Sequence, residues 1–229
     1  MTAADWRVER HLGRASTFHA RPVPEPARRV VWWFEVTRPA VALGSTQPAS
    51  VVDEAAAAEA GVEVVRRRSG GGAVWLEAGA VTWVDVVLPA DDPLWVDDVG
   101  RSALWLGEAW ARALSSLGVG GLGVHRGPLV RGPWSPLVCF AGLGPGEVLV
   151  DGRKAVGISQ RRTRAGARFQ CAALHRWDPA PLAAVLALEP AERAALVHDV
   201  ADVATGLGPL EPSAVVAALH AALRDAPPA

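Results

Sequence analysis

The sequence predicts an α+β fold: one mixed, largely antiparallel sheet with flanking helices. Three observations carry that prediction. Short apolar runs of strand length alternate with helical stretches between residues 30 and 174. An Asp151-Gly152 pair sits between two such runs, where a tight hairpin turn belongs. The residues after 180 read as helices opened by prolines. With 229 residues, half of them hydrophobic, the chain has material for one buried core, so residues 1–229 are expected to form a single domain.

Taken in order, residues 1–29 read as an irregular arm, with Pro22, Pro24 and Pro26 close together. Residues 30–36 form a short apolar strand and 39–44 a second. Ser50 is the expected cap of a helix, with Asp53 three residues on, alanines at 55–58 inside it and Gly61 at its end. Residues 62–65 are a strand leading into an arginine-glycine loop, and 73–76 and 81–88 are two more. From Asp97 to Leu117 the apolar residues Val99, Ala103, Leu106, Trp110, Ala113 and Leu117 step by three or four. That is one face of a long amphipathic helix, closed by Gly118. Residues 118–127 read as a glycine-rich loop. Residues 148–150 and 153–159 pair as a hairpin, and 167–174 is a further strand. The tail, 181–229, is helical over 181–188, 190–197 and 212–224.

Composition narrows the function classes. A formal net charge of −1 argues against a nucleic-acid binder working by bulk charge. The charged first residues are unlike a secretory signal, and no apolar run reaches the roughly 18 residues of a spanning helix. The two cysteines, Cys139 and Cys171, have neither metal-type spacing nor the density of a disulfide framework. The expectation is a cytoplasmic protein with no metal site of its own, no membrane and no nucleic-acid partner. Of the 23 lysine and arginine side chains, one is lysine, Lys154. In a chain that otherwise takes arginine, a retained lysine marks a place where a compact point charge is needed rather than a planar fork.

Two segments carry chemistry. In Arg66-Arg67-Arg68-Ser69-Gly70-Gly71-Gly72-Ala73-Val74, the glycines let backbone N–H groups approach an anion, and the arginines supply donors to phosphate or carboxylate. In Asp151-Gly152-Arg153-Lys154-Ala155-Val156-Gly157-Ile158-Ser159-Gln160, the lysine follows a hairpin turn, and Gly157 permits close packing above the strand. A lysine held on a sheet can stabilise charge developing at a carbonyl. Cys139 is a candidate thiolate nucleophile or, equally, a small buried hydrophobe. Cys171, mid-strand, reads as core. His125 and His175, each beside an arginine, read as structural or solvated, and the tryptophans, Trp75 and Trp83 among them, read mostly as core.

The two segments, together with Pro39-Ala40-Val41-Ala42-Leu43-Gly44-Ser45-Thr46-Gln47, resemble the catalytic core of the lipoate-protein ligase family, over about residues 32–174. That family includes lipoate ligases, octanoyltransferases and, more distantly, biotin ligases. The resemblance implies a fold like the catalytic domains of class II synthetases and biotin-lipoate ligases. It implies that Arg67, Ser69, Gly70, Gly71, Gly72 and Gly157 surround the acyl chain and its adenylate. Lys154 would contact the acyl carbonyl and phosphate, with ATP and magnesium as the ligase's needs. The acceptor would be a lysine on the lipoyl domain of a 2-oxoacid dehydrogenase or of a glycine cleavage protein.

The chain departs from the ligase pattern at three places. Leu76-Glu77 stands where ligases have His-Asp, Gly79-Ala80 where they have Gly-Asn, and Gly146-Glu147 where they have Asn-Asp. The length leaves no room for the accessory C-terminal domain of full-length ligases. Cys139-Phe140 resembles the octanoyltransferase branch, in which that cysteine carries the acyl group from an acyl carrier protein without ATP. That branch has arginine where this chain has Gly72. On the intact triple glycine, the sequence favours a ligase working through acyl-AMP. The alternatives are an octanoyltransferase using Cys139, which needs no cofactor, and a non-catalytic subunit that binds acyl groups or lipoyl domains.

Overall fold

The computed structural model describes residues 5–227. The first surprise lies in the segment expected to be an irregular arm. It holds a strand, β1 (Arg7–Gly13), and a short helix, α1 (Ala15–Ala20). β1 was illegible as a strand because it has no buried face: it is an edge strand, with Leu12 fully outward, held by backbone pairing to its neighbour and by ion pairs radiating from Glu9.

The predicted apolar strands follow as β2 (Val30–Val36) and β3 (Ala40–Leu43). Next comes α2 (Glu54–Glu59), capped by Asp53, whose carboxylate accepts from Ala56 N–H at 3.0 Å. Ser50, the expected cap, lies one turn earlier in a 3-10 turn, Ala49–Val51. β4 (Glu63–Arg66), β5 (Val74–Leu76) and β6 (Val81–Pro89) flank the glycine loop and lead to α3 (Leu104–Ser116). α3 starts seven residues later than its apolar spacing implies. Val99 is 59% exposed, and residues 97–103 form turns in which Ser102 Oγ donates to Val99 O. The glycine-rich loop contains β7 (Leu122–Val124), and two further short strands, β8 (Val130–Arg131) and β9 (Gly142–Leu143), pair beyond it. The predicted hairpin is β10 (Val148–Val150) and β11 (Arg153–Arg162), turning through positive φ at Asp151 (49°) and Gly152 (77°) as a type I′ turn requires. β12 (Gly166–Leu174), α4 (Ala180–Ala184), α5 (Pro190–Asp199) and α6 (Pro212–Arg224) complete the chain.

There are three sheets among the described residues rather than one. The main sheet has seven strands in the order β1-β2-β6-β12-β11-β10-β7, antiparallel except for β1 against β2. A three-stranded sheet, β4-β3-β5, and the β8-β9 pair accompany it. Alternate residues of β2 serve opposite faces. Val31 and Trp33 pack with Leu106 and Trp110 of α3 and Leu219 of α6. Val30, Trp32 and Phe34 pack with Phe18 of α1, Ala42 of β3 and Leu76 of β5. The small sheet therefore stacks on one face of the large one, and the space between their edges is where the site forms. No helix of the described residues is long and apolar enough to cross a membrane.

Candidate functional site

The glycine loop connects β4 to β5 and lies against the 3-10 turn Cys139–Ala141. Gly71 takes φ +101°, and a Cβ there would come within 2.7 Å of Arg67 Nη2 and 3.5 Å of Cys139 Sγ. A Cβ on Gly72 would lie 2.7 Å from Cys139 N. These two glycines are required by the protein's own close packing, whereas Gly70 has open space around it. No backbone hydrogen bond engages the N–H groups of Gly70, Gly71 or Gly72.

Beside this loop lie two connected spaces. The first is a narrow apolar tunnel lined by Ala42, Val74, Leu76, Trp83, Phe140, Gly157, Ile158, Cys171 and Ala172, together with the polar groups of Arg67, Ser159, Gln170 and His19. The second is an open cleft of about 570 Å³, lined by Gly70, Gly71, Gly72, Arg131, Glu147 and Lys154 among others. Cys139, Ile158 and Ser159 line both. Cys139 is thus at the mouth of the tunnel, half-buried, with Arg67 Nη2 3.5 Å from its sulfur. Cys171 is in the core, and burial pushes its thiol well above the usual range. Trp83 lines the tunnel; Trp75 lies outside it.

Lys154 is buried at the base of the cleft. Its three N–H donors meet three protein acceptors: Glu147 Oε2 at 2.7 Å, Gly142 O at 2.9 Å and Cys139 O at 3.1 Å. Three acceptors converging on one point suit an ammonium and exclude a planar guanidinium, which is the physical reason this position keeps lysine. Glu147 also accepts from Gly144 N–H and Ile158 N–H, so the pair is fully satisfied. What packs on Gly157 is the protein itself: a Cβ there would lie 3.2 Å from the Phe140 ring and 3.3 Å from the Lys154 stem.

Arg67 is buried beneath the loop rather than displayed in the cleft. Nη1 donates to Ser69 Oγ and Ser159 Oγ, both at 2.9 Å, and Nη2 to Gly72 O at 3.0 Å. Ser69 is buried in the same network and lines neither space. His125 and His175 are elsewhere, bonded to Pro128 O and to Thr82 Oγ1. Sequence reading missed Glu147 as Lys154's partner, and it missed Ser159, Gln170 and His19. Ser159 and Gln170 are directly paired across β11 and β12, a register the sequence does not show. His19 sat in the segment read as irregular.

Comparisons with known proteins agree with this architecture. No curated protein matches the chain. Among solved structures, a bipartite lipoate protein ligase studied with its E2 lipoyl domain, from Thermoplasma acidophilum, superimposes with a TM-score of 0.75 at 18% identity, over 97% of this chain and 83% of that one. A T. acidophilum structure with bound lipoic acid gives 0.69 at 19%, over 97% and 85%. Lipoate-protein ligase A bound with ATP gives 0.68 at 18%, over 97% and 85%. The family model described as the lipoyl protein ligase A/B catalytic domain matches residues 6–223. With nearly the whole chain matched and the fold shared, this protein belongs to the lipoyl protein ligase A/B catalytic-domain family.

Proposed function

We propose that the protein moves a medium-length acyl group, octanoyl or lipoyl, from a thioester donor to a lysine of a lipoyl domain, through a thioester on Cys139. The observation that carries this reading is the position of Cys139 Sγ at the junction of the apolar tunnel and the open cleft, beside the Arg67 guanidinium. An acyl chain in the tunnel has its carbonyl at the sulfur. The Cys139 thiolate attacks the donor carbonyl, the donor's C–S bond breaks, and the departing thiolate takes up the proton that Cys139 gave up. The acceptor amine, entering through the cleft, then attacks the acyl-cysteine, forms the amide and loses a proton, and Cys139 is released as thiolate. The Arg67 guanidinium donates toward the Cys139 sulfur at 3.5 Å. Lys154 is a positioning residue here: through Cys139 O and Gly142 O it holds the turn that presents the nucleophile.

The adenylate route favoured by the sequence alone remains the second reading. The unengaged N–H groups of the glycine loop on a roomy cleft suit a nucleotide phosphate. Two features weigh against it. Lys154 is committed to protein acceptors rather than free for a phosphate, and the cleft's Glu147 is committed to Lys154 and two backbone donors.

Parallel reactions separate the routes. A lipoyl domain, from a 2-oxoacid dehydrogenase or a glycine cleavage protein, is incubated either with octanoyl carrier protein and no ATP, or with octanoate or lipoate and Mg-ATP. We expect modification in the first arm, an octanoyl adduct on Cys139 in the intact mass, and loss of both in Cys139→Ser. Modification only in the ATP arm, unaffected by Cys139→Ser, overturns the transfer reading. Failure of both arms leaves a binding subunit.

A further inference from the structure

The polar groups of the tunnel belong to a continuous chain whose direction can be read. Arg67 is donor-only, so Ser69 Oγ accepts from it and is left with one O–H, which donates to Gln170 Oε1 at 2.8 Å. That orients the Gln170 amide, whose Nε2 faces His19 Nδ1 at 3.2 Å. Nδ1 therefore accepts, and the proton of the neutral ring is on Nε2. The ring stays neutral because burial and the nearby cations of Arg168 and Arg67 push its pKa down to about 3.

This Nε2–H is buried and has no partner among the described residues. Trp83 does not serve as one. The two rings lie 4.6 Å apart at 32°, closer to face-to-face than edge-on, so an in-plane N–H does not point into the indole face. His19 and Gln170 line the tunnel and not the open cleft, so they lie on the part of its wall away from the junction where Cys139 stands.

We propose that His19 is a specificity-determining residue on the wall of the acyl tunnel away from Cys139. It favours a medium-length chain that carries a hydrogen-bond acceptor at its far end, such as a dithiolane sulfur or an oxygen, over a plain saturated chain of the same length. The inference rests on the reading that the tunnel takes the acyl group of the transfer. One net hydrogen bond to an otherwise unpaired donor corresponds to about a tenfold preference.

The test measures binding of octanoate, lipoate and 8-hydroxyoctanoate to Cys139→Ser protein by calorimetry, alongside loading of wild-type Cys139 from the matching small thioesters by intact mass. Expected are binding of 8-hydroxyoctanoate about tenfold tighter than octanoate, lipoate in between, and loss of that order when His19→Leu is added, with octanoate held at least as well. His19→Gln, which retains an N–H donor, keeps part of the preference. Equal binding of the three acids, tighter octanoate, an unchanged preference in the His19→Leu background, or no binding of any acid overturns the inference. Failure of Cys139 to load while the acids bind in the expected order overturns the transfer reading alone.

Discussion

Two buried cations lie on neighbouring strands of the main sheet, and they are built on different plans. Lys154 on β11 faces three acceptors that converge on one point, Glu147 Oε2, Cys139 O and Gly142 O. Arg168 on β12 faces three that spread across a plane: Asp85 Oδ2 at Nε, Arg21 O at Nη1 and Phe18 O at Nη2. The choice of residue follows the arrangement of acceptors. The consequence is spatial. Lys154 ties down the turn carrying Cys139 at the mouth of the tunnel, and Arg168 ties down the segment carrying His19, on the wall away from that mouth. One pair holds the chemistry and the other holds that wall, so damage to them should separate into different symptoms.

The largest effect is expected at the mouth. Lys154→Arg should lower acyl transfer by about 100-fold or more, because the broader guanidinium displaces the Cys139 turn. Lys154→Met leaves Glu147 buried without its partner and should cost about 3–5 kcal/mol of stability in urea unfolding. Adding Glu147→Leu should return most of that stability without returning transfer. A double variant that transfers normally would remove Lys154 from any role in positioning the nucleophile.

Arg168→Lys tests the other pair. One ammonium cannot reach three acceptors spread in a plane, so a loss of about 2–3 kcal/mol is expected. Here KM for the acyl donor should rise while kcat falls little, and alkylation of Cys139 by iodoacetamide should keep its wild-type rate. Slowed alkylation would mean the two parts of the tunnel are mechanically coupled rather than separately held.

Within the glycine loop the same logic divides neighbours. Gly71→Ala meets a positive φ and the Arg67 guanidinium, and should cost about 1–3 kcal/mol and disturb Cys139 reactivity. Gly70→Ala meets open space at an ordinary φ and should change stability by about 0.5 kcal/mol or less.

The smallest effect is a pH slope. His19 is held neutral in the fold, with its pKa lowered to about 3, while the unfolded chain takes up a proton near 6.5. The unfolded state therefore binds more protons between those values. The stability His19 permits is complete above about pH 6.5 and declines as pH falls toward 3, at up to about 1.4 kcal/mol per pH unit. His19→Leu should flatten that part of the stability profile. An unchanged slope would show that other groups dominate acid unfolding.

Much of this was legible in the residues. The short apolar runs at β2 and β6, the Asp151-Gly152 turn and the proline-opened α6 all form close to where local chemistry calls for them. The start of α3 was overread because apolar spacing alone does not reveal that Val99 has nothing to pack on. β1 was missed because an exposed edge strand needs no apolar alternation, only a neighbour with free backbone groups. Of the site, the glycine loop, Lys154 and Cys139 stood out in the sequence and the structure places them around one cleft, whereas the groups that give each its setting did not stand out.

By itself the sequence determined which residues are unusual: one lysine in an arginine-rich chain, three successive glycines, and a cysteine beside Phe140. Composition and spacing suffice for that, since they register where the ordinary residue has been refused. Only the tertiary structure decided what refused it. Lys154 is required by two carbonyls from the Cys139 turn and by Glu147, which immediately precedes the strand that pairs with its own. Gly71 and Gly72 are required by Arg67 and by a turn some seventy residues away in the chain. His19 gains its neutral ring and its directed proton from Gln170, 151 residues distant. Local propensity fixes backbone shape over a few residues. The direction of a hydrogen-bond chain and the point on which three acceptors converge depend on strands meeting in register, and no local window of the chain contains that information.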